Sequence, residues 1–184
     1  MSGEPSAVGA DEAAFLERLQ SYEGRPVGPA EPADDPVNVP MIRHWMEAVG
    51  GSNPIHLDEA AAQATGRDGV VAPATMLQVW TMKGLKAQGD RPDTLQTELF
   101  EVLEEAGFTS VVATNTEQEY LRELVPGDHL SATSTIESVS PQKTTGLGVG
   151  HFVTTRTEFH DQYGDLVGTM TFRILKFRPA AREA

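Results

Sequence analysis

From Ser110 onward the chain carries four long runs of β-branched and alternating residues: Ser110 to Leu124, Asp128 to Ser138, Val149 to His160 and Leu166 to Phe177. Runs of that length, separated by turn-forming segments, commit this half to an antiparallel sheet. The punctuation is Val125-Pro126-Gly127-Asp128, the stretch from Ser140-Pro141-Gln142-Lys143 to Gly150, and Asp161-Gln162-Tyr163-Gly164-Asp165. The simplest connection of four such strands is a meander. One face of the sheet then needs a cover, and only the preceding half of the chain can supply it.

That half reads as helices. Residues 1–10 are small and polar and are expected to form a disordered tail. Asp11 is a suitable N-cap for a helix reaching Tyr22, with Phe15, Leu16 and Leu19 at helical spacing. Gly24 to Pro40 is a Gly- and Pro-rich extended connection. Pro40 suits a first helical turn, and Ile42, Trp45, Met46 and Val49 make one apolar face that stops at Gly50-Gly51. A short helix is expected over Leu57 to Thr65, with Asp58 and Glu59 at its start and Gly66 after its end. Ala74 to Leu85 is apolar almost all round and is expected to be a buried helix. The fold class is therefore α+β, in a single domain over residues 11–184 with an N-terminal helical extension.

The chain contains no cysteine, which excludes disulfide frameworks, thiolate metal sites and cysteine nucleophiles and fits a cytoplasmic location. No apolar stretch is long enough to span a bilayer, and no basic segment followed by an apolar core opens the chain. The formal net charge of −13 argues against nucleic acid and anionic membranes as partners. Local basic ground is expected at Lys83 and Lys86 and at Arg173, Lys176 and Arg178.

The run Gly50-Gly51-Ser52-Asn53-Pro54-Ile55-His56, preceded by Ile42-Arg43-His44-Trp45 and followed by Leu57-Asp58-Glu59-Ala60, resembles the motif of the MaoC-like enoyl-CoA hydratases. The segments Val71-Ala72-Pro73-Ala74-Thr75-Met76-Leu77-Gln78-Val79-Trp80-Thr81-Met82 and Ile174-Leu175-Lys176-Phe177-Arg178-Pro179 are similar to the MaoC-like domain of the larger subunit of actinobacterial steroid side-chain hydratases. The resemblance covers Pro36 to Pro179. It implies a hot-dog fold, an antiparallel sheet wrapped around a long central helix that would be Ala74 to Leu85, with subunits paired around an acyl-CoA. It also implies hydration of a trans-2-enoyl thioester by an Asp and a His that hold a water and move its protons. No cofactor is implied beyond acyl-CoA as substrate, and no metal.

His56 matches the catalytic histidine of that motif, but Gly51 stands where the Asp belongs. Glycine has no side chain with which to move a proton, so the expectation is a degenerate site. The catalytic Asp and His would come from a smaller hot-dog subunit in a heterodimer or heterotetramer, acting on a steroid side-chain thioester. The substrate-binding residues implied are Asn53, Ala74, Thr75, Met76 and Trp80, with the free amides of Ala74 and Thr75 at the start of the central helix available to a thioester oxygen or phosphate. Two other readings stay open: a self-sufficient homodimeric hydratase or thioesterase using Glu47 or Asp58, and a non-catalytic acyl-CoA-binding scaffold. His44, His129, His151 and His160 have no mutual spacing that suggests a metal site. Gly146-Leu147-Gly148-Val149-Gly150 imitates a phosphate loop but lies between strands and is expected to be a hairpin turn.

Overall fold

The computed structural model describes residues 7–84 and 94–180. In chain order the elements are α1 (Ala7–Gln20), β1 (Glu31–Pro32), α2 (Val39–Val49), α3 (Glu59–Gln63), α4 (Leu95–Glu105), β2 (Ser110–Tyr120), β3 (Ser131–Val139), β4 (Lys143–Thr145), β5 (Gly148–His160) and β6 (Leu166–Pro179). Short 3-10 turns stand at Pro54–His56, Ala74–Met76 and Val79–Thr81. The first helix begins at Ala7, ahead of the expected Asp11 cap, so residues 7–10 belong to a helix rather than to a tail; residues 1–6 lie outside the described residues.

The strands form one antiparallel sheet in the order β1-β3-β5-β6-β2, with β4 pairing β5. The four long runs are therefore strands, but they are no simple meander. β2 lies against β6, from Ser110↔Phe177 to Tyr120↔Gly168, while β3 lies against β5. The connection over residues 121–130 must cross from one side of the sheet to the other. It is fixed by Leu124 and Leu130, both buried, and by the hydrogen bond from the Ala72 amide to the Leu124 carbonyl (2.8 Å). The glycine-rich run after β4 is the tight hairpin into β5, where Gly148 takes φ 140.

Two apolar clusters cover the sheet. One joins Ile42 and Met46 of α2 with Met76, Leu77, Trp80, Phe159, Val167 and Met170. The other joins Leu19 and Tyr22 with Leu99, Val102 and Leu103 of α4, and with Ile136, Val153 and Ile174 of the sheet. Phe172 on β6 packs against both. The long central helix expected over Ala74 to Leu85 is not formed. Ala74–Met76 and Val79–Thr81 are separate 3-10 turns, and Leu85 lies outside the described residues. Apolar positions at Met76, Leu77 and Trp80 serve a 3-10 turn as well as an α-helix, because spacings of three and four bury the same side. The helix seated on the sheet is instead α4, capped by the Thr94 side chain, which accepts from the Thr97 amide (3.2 Å).

Arg122 ties the crossing connection to the β5–β6 turn. Both of its terminal nitrogens reach Asp128 (2.7 and 3.0 Å), and one also reaches Asp161 (2.8 Å). Asp161 in turn accepts from the amides of Tyr163 and Asp165. The Arg122 hydrogen bond, more than burial opposes it, holds the Asp161 carboxyl below the usual carboxylate range. Its contribution is fully present above the ordinary carboxylate pKa near ~4 and is lost as pH falls through the depressed value. Melting curves should therefore show the gap between wild type and Asp161→Asn holding steady above about pH 5 and closing as pH falls below about 4. Arg122→Met, which strands two buried carboxylates, should lower the melting temperature by about 10 °C at neutral pH.

His151 is the second titrating feature of the core. It is buried between Phe15 and Phe108, and its Nδ1 donates to the Ser140 carbonyl (2.9 Å) while Nε2 has no partner. Burial pushes its pKa down, against the smaller upward pull of the Ser140 bond. Stability from the neutral ring is complete above pH ~6.5 and is lost as pH falls through the lowered value. A melting temperature that declines from about pH 7 to pH 5 in wild type should be flatter in His151→Phe.

Candidate active site

Helix α2 ends in a capping arrangement that leads directly to the motif. Gly50 takes φ 67, its amide donates to the Glu47 carbonyl (3.3 Å), and the Gly51 amide donates to the Met46 carbonyl (2.8 Å). This is the paired bonding of a Schellman motif, which only a residue tolerant of left-handed backbone closes cheaply. Gly51 is a different case. It is not among the glycines with positive φ, so its backbone does not demand glycine. A Cβ there would instead stand 2.5 Å from Met46 Cε and 2.9 Å from Met46 Sδ. The buried Met46 side chain crowds the position from which a carboxylate would project.

Asn53 then caps the 3-10 turn, its side chain accepting from the Ile55 amide at 3.4 Å, and Pro54 opens the turn. Asn53 is exposed and does its work within the loop. The turn is held against the segment before Pro73 by two bonds: the Val71 amide donates to the Ile55 carbonyl (3.3 Å), and His56 Nδ1 donates to the Val71 carbonyl (2.7 Å). With its proton on Nδ1, the neutral ring leaves Nε2 as an acceptor.

His56 borders a cavity of ≈ 390 Å³. Its apolar wall is Ala72, Ala74, Leu77, Leu124 and Val167, and its polar rim is Tyr120, Arg122 and Glu123. Of the residues expected to bind substrate, Ala74 lines this cavity, together with His56, the match to the motif's catalytic histidine. Met76 and Trp80 are packed into the core behind, and Thr75 is exposed. The Ala74 and Thr75 amides do head a turn, and they make no hydrogen bond among the described residues. A 3-10 turn of three residues has no macrodipole, however, so the attraction expected from a long helix is absent.

The substitute carboxylates are not at the cavity. Glu47 is 69% exposed, 3.6 Å from His44 on the outer side of α2. Asp58 caps α3, accepting from the Ala61 amide (2.7 Å). The carboxylate that does line the cavity, Glu123, is held by Arg67 at 2.9 and 3.0 Å. Tyr120, Arg122 and Glu123 were not foreseen, because the strand was expected to run unbroken to Leu124. The adjacent charges of Arg122 and Glu123, ahead of Pro126-Gly127, are the signal that the alternation stops earlier.

The expected basic ground is largely spent inside the fold. Lys83 bonds the Pro32 carbonyl and Asp34, and Lys176 is buried against Glu104 (2.7 Å). Arg178 donates to the Ala106 carbonyl over the Phe108 ring, closing the C-terminal end of α4. Arg173 lies over Phe152, in a groove shared with Glu117 and Glu137. Lys86 lies outside the described residues. No group of three or more His, Asp or Glu able to hold a metal occurs among the described residues, and no helix among them is long and apolar enough to cross a membrane.

Residues 24–170 match the model of the FAS1-like dehydratase domain region. A probable enoyl-CoA hydratase alpha subunit from Thermomonospora curvata is 53% identical over 92% of this chain and 54% of its own length. The 3-oxo-4,17-pregnadiene-20-carboxyl-CoA hydratase alpha subunit of Mycobacterium tuberculosis is 46% identical over 83% of this chain and 49% of its own length. The chain thus spans about half the length of these curated relatives. Among solved structures, a chain of the ChsH1–ChsH2 complex from Mycobacterium tuberculosis superposes with a TM-score of 0.82 at 40% identity, covering 94% of each chain. A MaoC-like dehydratase superposes with a TM-score of 0.57 at 26% identity, covering 83% of this chain and 42% of that one.

The crowding at Gly51 has a measurable consequence. Gly51→Asp should destabilise the chain by about 1–3 kcal/mol, because Met46 must leave its packed place. In a Met46→Ala background the same change should cost less than the sum of the two single changes. Additive losses in a denaturant double-mutant cycle would show that Met46 does not hold the position closed.

Proposed function

The chain belongs to the FAS1-like dehydratase-region family of MaoC-like hot-dog domains, and from that premise we propose that it is the non-catalytic subunit of a heteromeric enoyl-CoA hydratase. It would form part of the substrate-pocket wall, while a smaller hot-dog subunit supplies the Asp and His that add water to a trans-2-enoyl-CoA. The observation that carries this reading is the pair Gly51 and Met46: the carboxylate is missing and a thioether fills its approach. Without one of two cooperating acid/base groups, hydration at this chain's own loop should be slower by about 10²- to 10⁴-fold.

Several features support the division of labour. Two relatives that are similar over most of this chain bear alpha-subunit names, and the well-superposed structure is that of a two-component complex. The outer edge of β2 pairs with nothing among the described residues, and Val111, Leu121 and Val125 are exposed on and just after it. A long free edge flanked by apolar side chains needs a cover, and a second hot-dog domain would provide one. The name of the Mycobacterium tuberculosis relative favours a steroid side-chain thioester as the acyl group. The reaction calls for no cofactor beyond the acyl-CoA, and we place it in the cytoplasm. The self-sufficient reading loses ground because Glu47 and Asp58 both lie away from the cavity.

Mixing the chain with a small MaoC-like hot-dog subunit and following loss of enoyl absorbance from a steroid enoyl-CoA tests the proposal. A co-eluting complex should hydrate the thioester while the chain alone does not. Full activity from the chain alone would end the division of labour.

A further inference from the structure

Helix α1 rests on the sheet through apolar packing. Leu19 is buried in the cluster with Leu99, Ile136 and Val153, Phe15 packs against it, and among the described residues no hydrogen bond joins residues 7–20 to the sheet. The polar ties begin beyond the helix end. Tyr22 donates its hydroxyl to Glu98 of α4 (2.8 Å), and the Gly24 and Val27 amides donate to the Ile136 and Ser134 carbonyls of β3 (2.8 Å each). Gly24 carries φ 73, a left-handed turn that glycine takes without strain, so α1 is an arm on a fixed pivot.

The arm lies against His151 of β5. The ring meets Phe15 edge-on at 5.8 Å and Phe108 at 4.9 Å, and the residue is 2% exposed. The Ser140 carbonyl accepts the Nδ1 proton (2.9 Å), which leaves Nε2 a lone pair without a partner. A second proton would put a full charge into that slot. The surrounding charges do not relieve it. On β6, Lys176 is the register partner of His151 and is itself buried against Glu104 of α4, and Arg178 lies over the Phe108 ring. Glu23 is spent on the Val139 amide (2.7 Å) and Glu98 on Tyr22. Asp11, Glu12, Glu17 and Arg18 of α1 are exposed, as are Glu101 and Glu105 of α4, Glu137 of β3 and Lys143 of β4. A phenyl face attracts a cation by less than it costs to take an unpaired imidazolium out of water, and burial accordingly pushes the ring's pKa down.

We propose that α1 is an acid-released strap: when His151 takes its second proton, Phe15 leaves the ring and the helix lifts off the sheet about Gly24 while the strands stay paired. The other walls of the slot are fastened. The Phe108 amide donates to the Leu103 carbonyl (2.9 Å), and Ser140 exchanges two bonds with Phe152 (2.9 Å each). Lifting α1 is therefore the cheapest way for water to reach Nε2. Once exposed, the ring titrates near its ordinary value. Docking is then fully favoured above pH ~6.5 and is weakened as pH falls below it, until the docked ring itself accepts the proton.

Hydrogen exchange of the full chain followed by mass spectrometry from pH 7.5 to pH 5, corrected for the intrinsic chemical rate, tests the strap. Protection of α1 amides should fall by up to about tenfold per pH unit below ~6.5, while β5 and β6 amides keep theirs. His151→Gln keeps a donor for Ser140 but cannot take the proton, and His151→Phe keeps an aromatic ring; in both the dependence should vanish. A fall that persists in either variant belongs to other groups and overturns the proposal. The unaltered chain decides by itself if neither variant folds: constant α1 protection, or a loss shared equally by β5 and β6, overturns it too.

Discussion

Strands β5 and β6 run antiparallel from the Gly148↔Pro179 pair to His160↔Leu166, and the other layers of the molecule are laid on that pairing. β3 and β4 extend it on one side and β2 on the other. The apolar side chains of β6 divide between the two clusters. Val167 and Met170 receive α2 and the 3-10 turns, Ile174 receives α1 and α4, and Phe172 reaches both. Val167 also lines the cavity that His56 borders. The motif segment has few internal bonds of its own, and its place is set by what it leans on.

The His56 loop shows how little local structure is needed once that support exists. One side-chain cap, one proline and two bonds to the Val71 segment give the ring its orientation, and the Ala72 bond to Leu124 fastens that segment to the sheet connection. The Val71 carbonyl thus fixes which ring nitrogen of His56 carries the proton, independently of what stands at Gly51. The geometry of the loop and the side chain at Gly51 rest on different residues. The turn and its bonds depend on Asn53, Pro54 and Val71, and the room for a side chain at position 51 depends on Met46.

Much of the sheet was legible in the sequence because a period of two over long runs has few alternative explanations. Its order was not, since nothing in Ser110 to Tyr120 says which neighbour it will choose; the apolar corner through Leu124 and Leu130 decides that. Residues 74–82 form two 3-10 turns instead of the expected helix for a physical reason. An all-round apolar run states that a segment is buried but not by which turn, and β-branched Thr75, Val79 and Thr81 favour no long α-helix. The Leu95–Glu105 helix carried a readable pattern, with Thr94 as cap and Leu95, Leu99, Val102 and Leu103 on one side, and was overshadowed by the more apolar run before it. At the site, the glycine in the motif was plain in the sequence. The methionine beside it was not, because contact across the Schellman turn exists only after the helix has ended there.

Lys83, Lys176 and Arg178 are each engaged within the chain, which carries a formal net charge of −13. If the ligand is the coenzyme A thioester proposed above, its several phosphates would meet a chain of like net charge. Dissolved salt, which slows most encounters between proteins and nucleotides by shielding attraction, would here ease the approach. The attraction that draws the nucleotide end into place would then have to originate outside this chain's own surface.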